Sequence, residues 1–140
     1  SLTAVSMGNP HVVTYVDSLD FDIETIGKQF EHHEMFPESV NTEFVEVIDK
    51  NTLKMRVWER GSGETFACGT GTCATVVASV LNGICPYDEE VLVHLRGGDL
   101  RITYQSDGTV MMTGEAEYIC EGTISDDFIN SKKEFVVCRN

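Results

Sequence analysis

Hydrophobic and polar residues alternate in short runs along most of the chain, with two departures from that pattern. Leu2 to Val5 reads as a strand edge and Val12 to Val16 as a short β-rich run. From Asp20 to His33 the period lengthens. Ile23, Ile26 and Phe30 fall at i, i+3 and i+7, which predicts a helix that either Asp20 or Asp22 can cap and that ends by Pro37. Thr42 to Asp49 and Thr52 to Glu59 follow as two strands joined through Lys50-Asn51, the pattern of a hairpin.

The second departure is the more informative. Thr70 to Leu81 carries no charge, and its polar groups are small hydroxyls or a thiol. A helix without a polar face must be enclosed on nearly all sides. Asn82-Gly83 supplies a C-terminal stop. Four β-type runs come next, at Val91 to Leu95, Leu100 to Gln105, Val110 to Thr113 and Tyr118 to Thr123, with Gly97-Gly98 and Asp107-Gly108 as turns between the first three. Strands on both sides of one apolar helix predict an α+β fold: a mixed, mostly antiparallel sheet curved into a barrel-like wrap around that central helix. Periodicity does not set the strand order. In the tail, Asp126-Asp127 and Lys132-Lys133 read as solvated, and Glu134 to Cys138 as a possible edge strand.

The chain has 140 residues, enough for one domain with a sizeable core. A composition of 41% hydrophobic and 24% charged residues is that of an ordinary folded protein. The formal net charge of -13 repels phosphate backbones and anionic lipid, which argues against nucleic acid and membrane surfaces as partners. An acidic small molecule remains compatible, because a few local donors override the global field. No apolar run approaches the roughly 20 residues that span a bilayer. Five cysteines, an odd number without a C-x-x-C pair, fit neither a disulfide framework nor a zinc site and point to a reducing, cytoplasmic setting. The chain opens on Ser1 and enters a motif almost at once, which reads as a missing upstream half.

Candidate chemistry gathers at the mouth of the apolar helix. Cys68 stands just before its N-terminus, where unpaired N–H groups and the positive end of the helix dipole stabilise an anion. The expectation is a thiol more acidic than the ~8.5 of free cysteine. Gly69 and Gly71 allow close approach of a ligand, so the Gly69 and Thr70 amides can hold a carboxylate beside the sulfur. Cys73, Cys85, Cys120 and Cys138 read as packing residues, and His32, His33 and His94 as structural.

The runs Met7-Gly8-Asn9-Pro10-His11, Val40 to Phe44, Trp58 to Thr65, Ala67 to Gly71 and Gly97 to Leu100 together closely resemble the C-terminal half of diaminopimelate epimerase, over about Val5 to Ile124. The resemblance implies residues 1–124 as that C-terminal domain, 125–140 as an extension, and an absent N-terminal domain. It implies a cofactor-independent epimerase of lysine and peptidoglycan precursor synthesis that interconverts LL- and meso-diaminopimelate. Two cysteines, one per domain, then act on opposite faces of the reacting carbon, and Cys68 matches the C-terminal one. By the same resemblance Gly69 and Thr70 hold the reacting carboxylate, and Asn9, Asn41 and Arg60 the distal one. Glu59 receives the distal ammonium or serves Cys68 as proton partner, and His11 faces the other cysteine.

Chemically, inversion at a carbon centre needs a base and an acid on opposite faces and fixed donors for the carbanion's carboxylate. A lone domain is therefore expected to be inactive, with diaminopimelate and the missing domain as partners. A second copy of the chain is a further expected partner, because an uncovered apolar cleft wall favours a homodimer. Two alternatives stand beside this reading: half of a proline racemase or phenazine-biosynthesis-type isomerase, and a non-catalytic thiol-bearing binding domain.

Overall fold

The structure is a computed structural model that describes residues 2–131. Eight strands and three helices follow in the order β1 (Leu2–Ser6), β2 (Pro10–Tyr15), α1 (Ile23–Glu31), β3 (Asn41–Asp49), β4 (Thr52–Glu59), β5 (Gly63–Thr65), α2 (Gly69–Leu81), β6 (Glu90–Leu95), β7 (Gly98–Tyr104), β8 (Val110–Thr113) and α3 (Asp126–Ser131). One sheet runs β1-β2-β3-β4-β6-β7-β8, with β5 added beside β4. Neighbours are antiparallel except β2/β3 and β4/β6. Parallel neighbours need a crossover, and these two are supplied by α1 and α2.

The two helices take opposite faces of the sheet. Alternation along β3 and β4 sends Phe44 and Trp58 to one face, where they pack with Leu19 and Ile23 beneath α1. Val45, Leu53, Met55 and Val57 go to the other, against Val76, Ala78 and Val80 of α2. The inner helix touches β1, β2 and β3 and also β7 and β8, so the sheet curls until both of its ends meet one rod. Gly71 to Val80 are all buried, as a helix with no polar face requires. Asp22 caps α1 by accepting from the Glu24 and Thr25 amides, and Gly83 follows the α2 terminus at φ 72°. Among the described residues no helix is long and apolar enough to cross a membrane.

The α+β wrap, the central helix and the Lys50-Asn51 hairpin match expectation. The strands depart from expectation in two places. Gly63–Thr65 adds a short strand to β4 that has no periodic signal of its own. Tyr118 to Thr123 forms no strand: it is exposed throughout, with Tyr118 80% and Ile119 89% accessible. Its β-type side chains have no half-buried surface to lie on, and that surface is what β preference rewards. Cys120 is accordingly exposed rather than packed. The edge strand expected at Glu134 to Cys138, Cys138 itself and Lys132-Lys133 lie outside the described residues.

Candidate active site at the mouth of the inner helix

Because β2 and β3 are parallel, their first residues lie side by side, with His11 paired to Asn41. Because β4 is antiparallel to β3, its end arrives at the same rim, with Thr42 opposite Trp58. The β4–β5 turn then leads through Phe66 to Cys68, whose approach is fixed where Gly97 N–H donates to the Phe66 carbonyl at 2.8 Å. A Cβ on Gly97 would come within 3.1 Å of Phe66, so the strap and the β6–β7 turn meet closely. Asn9, His11, Asn41, Glu59 and Cys68, scattered in sequence, are thus brought to one end of the barrel.

Cys68 is the N-cap of α2. Its sulfur accepts from the Gly71 amide at 3.3 Å and lies 3.6 Å from Thr70 Oγ1. Thr72 Oγ1 donates to the Cys68 carbonyl at 2.7 Å, which pins the cap. The Gly69 and Thr70 amides stand in the first turn, where a helix provides no acceptor. Gly71 has to be a glycine: an added Cβ would lie 2.6 Å from Glu43 Oε1 and 3.2 Å from the Cys68 sulfur.

The expected acidity of Cys68 is corrected here. Burial pushes the thiol up, the bonds from Thr70 and the Gly71 amide pull it down, and the negative charges of Glu59 and Glu43 push it up again, so that it ends above its ordinary value. The helix terminus is present as expected, but half-burial is the largest influence on the thiol, and the charges of Glu59 and Glu43 act in the same direction.

The surrounding side chains divide into those that face outward and those already held. Arg60 is exposed at the start of the β4–β5 turn, and its Nη1 donates to the Glu38 carbonyl at 3.0 Å. Glu59 accepts a hydrogen bond from Thr65 Oγ1. Asn9 is half-buried and donates through Nδ2 to Thr70 Oγ1 at 3.3 Å. Asn41 is buried, with Nδ2 donating to the Pro10 carbonyl and Oδ1 accepting from the Arg60 amide, both at 3.0 Å. In this structure it ties the strand starts to the arginine's turn. His11 is 1% exposed, with Nδ1 2.7 Å from Glu43 Oε1 and Nε2 3.1 Å from Asn9 Oδ1.

Glu43 is the member that sequence reasoning missed. It is fully buried, and burial pushes its carboxyl up to about 6 against the lowering effect of His11. The available signal was its place in β3 at the same parity as Val45, which sends it inward. Glu31 supports the rim from outside the barrel: its carboxylate accepts from Trp58 Nε1 and from the Gly61 amide, each at 2.7 Å, and so fixes the turn that carries Arg60.

A groove of about 420 Å³ runs past Asn9, His11, Glu38 and Val40, and the sulfur lies outside it. A larger cleft of about 680 Å³ lies elsewhere, along Leu19, Lys54, Arg56 and Arg96. Both of its arginines are already held by Glu64, at 2.7 and 2.8 Å. No group of three or more His, Cys, Asp or Glu among the described residues is placed to hold a metal ion.

The family model for diaminopimelate epimerase matches residues 3–119 of the chain. The chain belongs to the diaminopimelate epimerase family. Diaminopimelate epimerases of Bacillus cytotoxicus and Bacillus licheniformis are 56% and 59% identical to it over 123 and 121 residues. Those matches cover 87% and 86% of the chain but only 43% and 42% of the relatives, so the chain spans less than half the length of the curated relatives it matches. Among solved structures, a phenazine biosynthesis protein of the PhzF family from Bacillus anthracis superposes with a TM-score of 0.56 at 22% identity, covering 79% of this chain and 37% of that one. A PhzF-family protein of Enterococcus faecalis gives 0.53 at 19% identity, over 75% and 39%. These two share the fold of the diaminopimelate epimerase-family domain described here.

Proposed function

We propose that this domain is one half of a cofactor-independent epimerase that interconverts LL- and meso-diaminopimelate, with Cys68 as one of two cysteines acting on opposite faces of the α-carbon. The observation that carries the reading is a half-buried thiol at the cap of α2, with the Gly69 and Thr70 amides beside it free of intrahelical acceptors. With its thiol pushed up by burial, Cys68 is suited to give a proton to the carbanion, while a cysteine of a domain outside these residues removes the original one from the other face. Donors fixed beside the sulfur stabilise the charge that develops on the α-carboxylate.

In this proposal Arg60 grips the distal carboxylate through its planar guanidinium, with Asn9 beside the reacting end and Asn41 holding the arginine's turn. Glu59 receives the distal ammonium or exchanges a proton with Cys68, and His11 serves the opposite cysteine. The domain alone is inactive, because one cysteine offers either an acid or a base and inversion needs both.

The test joins the chain to the N-terminal domain of a relative and follows exchange of the substrate α-proton in deuterium oxide. The joined protein is expected to exchange and epimerise, and Cys68→Ser to abolish epimerisation. Normal turnover by the Cys68→Ser protein would overturn the assignment, as would activity of the chain alone. Turnover of proline without diaminopimelate would move the reading to a racemase of the same fold.

A further inference from the structure

Glu43 lies beside the site, and no step above uses it. Its side chain is fully buried, and Oε2 has no hydrogen-bond partner while Oε1 is taken by His11. A buried carboxylate with one empty oxygen is costly, which favours a proton on the Glu43–His11 pair. From that pair a continuous line of contacts leads to the sulfur: His11 Nε2 to Asn9 Oδ1 at 3.1 Å, Asn9 Nδ2 to Thr70 Oγ1 at 3.3 Å, and Thr70 Oγ1 to Cys68 Sγ at 3.6 Å.

We propose that the proton shared by Glu43 and His11 sets which way the Asn9 amide and the Thr70 hydroxyl point, and so whether the Cys68 sulfur receives a hydrogen bond or donates one. With the proton in place, His11 Nε2 carries a hydrogen and donates to Asn9 Oδ1. The Asn9 amide then donates to Thr70, whose own hydrogen is left for the sulfur. The Asn9 Nδ2 to Thr70 Oγ1 bond of the structure is the one this arrangement uses. Without the proton, His11 keeps its single hydrogen on Nδ1 for the Glu43 carboxylate, and Nε2 becomes an acceptor. The Asn9 amide turns over to donate to it, its oxygen takes the Thr70 hydrogen, and the sulfur's own hydrogen turns to the Thr70 oxygen. Thiolate is favoured by the first arrangement and thiol by the second.

The coupling is reciprocal, as any linkage between two sites must be. Glu43 is in this sense a positioning residue that acts through three others. The charged and titratable groups facing it are His11 from β2, Glu59 from β4 and Cys68 at the start of α2, and its carboxyl is pushed up to about 6 chiefly by burial. The inference concerns hydrogen bonds within this domain and stands whether or not the epimerase reading holds.

The test uses the 140-residue chain. The rate of Cys68 alkylation by iodoacetamide is followed against pH, and the His11 ring nitrogens are read by nitrogen-15 NMR. In the native chain the logarithm of the rate is expected to rise with less than unit slope as the Glu43 carboxyl loses its proton, falling about fivefold short of the unit-slope line, while the His11 hydrogen moves from Nε2 to Nδ1. Glu43→Gln removes the shared proton and restores unit slope. Asn9→Ala cuts the line at a half-buried strand start, away from the core, and is expected to remove more than half of the shortfall, which direct repulsion between Glu43 and the sulfur would not allow. A native chain with unit slope, a shortfall unchanged in Asn9→Ala, or an Nε2 hydrogen retained across the same pH range would each overturn the proposal.

Discussion

Replacing Gly71 by alanine sets two calculable effects against each other. Gly71 sits inside the first turn of α2 with ordinary helical backbone, so intrinsic preference alone makes Gly71→Ala more stable by about 1 kcal/mol. Against this, the new Cβ would lie 2.6 Å from Glu43 Oε1, 3.2 Å from the Cys68 sulfur and 3.3 Å from the Cys68 Cβ. The Glu43 oxygen cannot simply withdraw, since the same atom is held 2.7 Å from His11 Nδ1 in a buried pair. Over-packing of this kind costs about 1–3 kcal/mol, to which loss of the short buried contact adds about 1 kcal/mol. The net expectation is a destabilisation of about 1–3 kcal/mol, or roughly 4 °C of melting temperature per kcal/mol for a domain of this size. Urea denaturation and thermal melting of the native and Gly71→Ala chains measure it directly. A variant as stable as the native chain, or more so, would show that the carboxyl does not press on the helix at this point.

Glu31→Ala should destabilise by about 2–4 kcal/mol in urea titration, because it strands the buried Trp58 Nε1 and frees the Gly61 amide together. Burial raises the Glu31 carboxyl, but the bonds from Trp58 and Gly61, with the charge of His32, hold it lower than usual in the folded state. A lowered folded value means stability that is complete above the unfolded carboxylate range and is lost as pH falls through the folded value. The native chain should therefore lose this contribution on acidification and Glu31→Ala should not; parallel curves for the two would exclude it. For Cys68, whose thiol is raised chiefly by burial, the pH of half-maximal alkylation should lie above that of a cysteine in an unstructured peptide. A midpoint at or below the peptide's would refute the balance of burial over helix terminus.

The parts of the fold legible in sequence are those where one physical signal acts alone. The absence of charge from Thr70 to Leu81 leaves a helix nowhere to go but inside, and the Lys50-Asn51 turn between two alternating runs specifies its own pairing. Legibility fails where two effects compete or where a distant partner decides. Tyr118 to Thr123 has the composition of a strand and pairs with no strand among the described residues, whereas Gly63–Thr65 has little strand character and is recruited by β4. Cys68 shows the first kind of failure: its place at a helix terminus can be read from Gly69 and Gly71, but the burial that chiefly raises its thiol, and the Glu43 and Glu59 charges that add to it, are supplied by the folded sheet. Glu43 shows the second, since its importance depends on His11, 32 residues away in sequence.

The lining-up of strand ends has a consequence for how such a domain tolerates change. His11, Asn41, Glu43 and Glu59, near Cys68, come from the beginnings of β2 and β3 and the close of β4, beside the start of α2. The Lys50-Asn51 turn lies at the far end of the same two strands, eight residues along β3 from Thr42. The candidate site and the Lys50-Asn51 turn thus occupy opposite poles of the barrel. A fluorophore or an affinity handle belongs on the exposed Lys50 side chain, while Asn51 has to be kept, because it donates to Glu89 and to the Glu90 carbonyl and so ties the turn to β6.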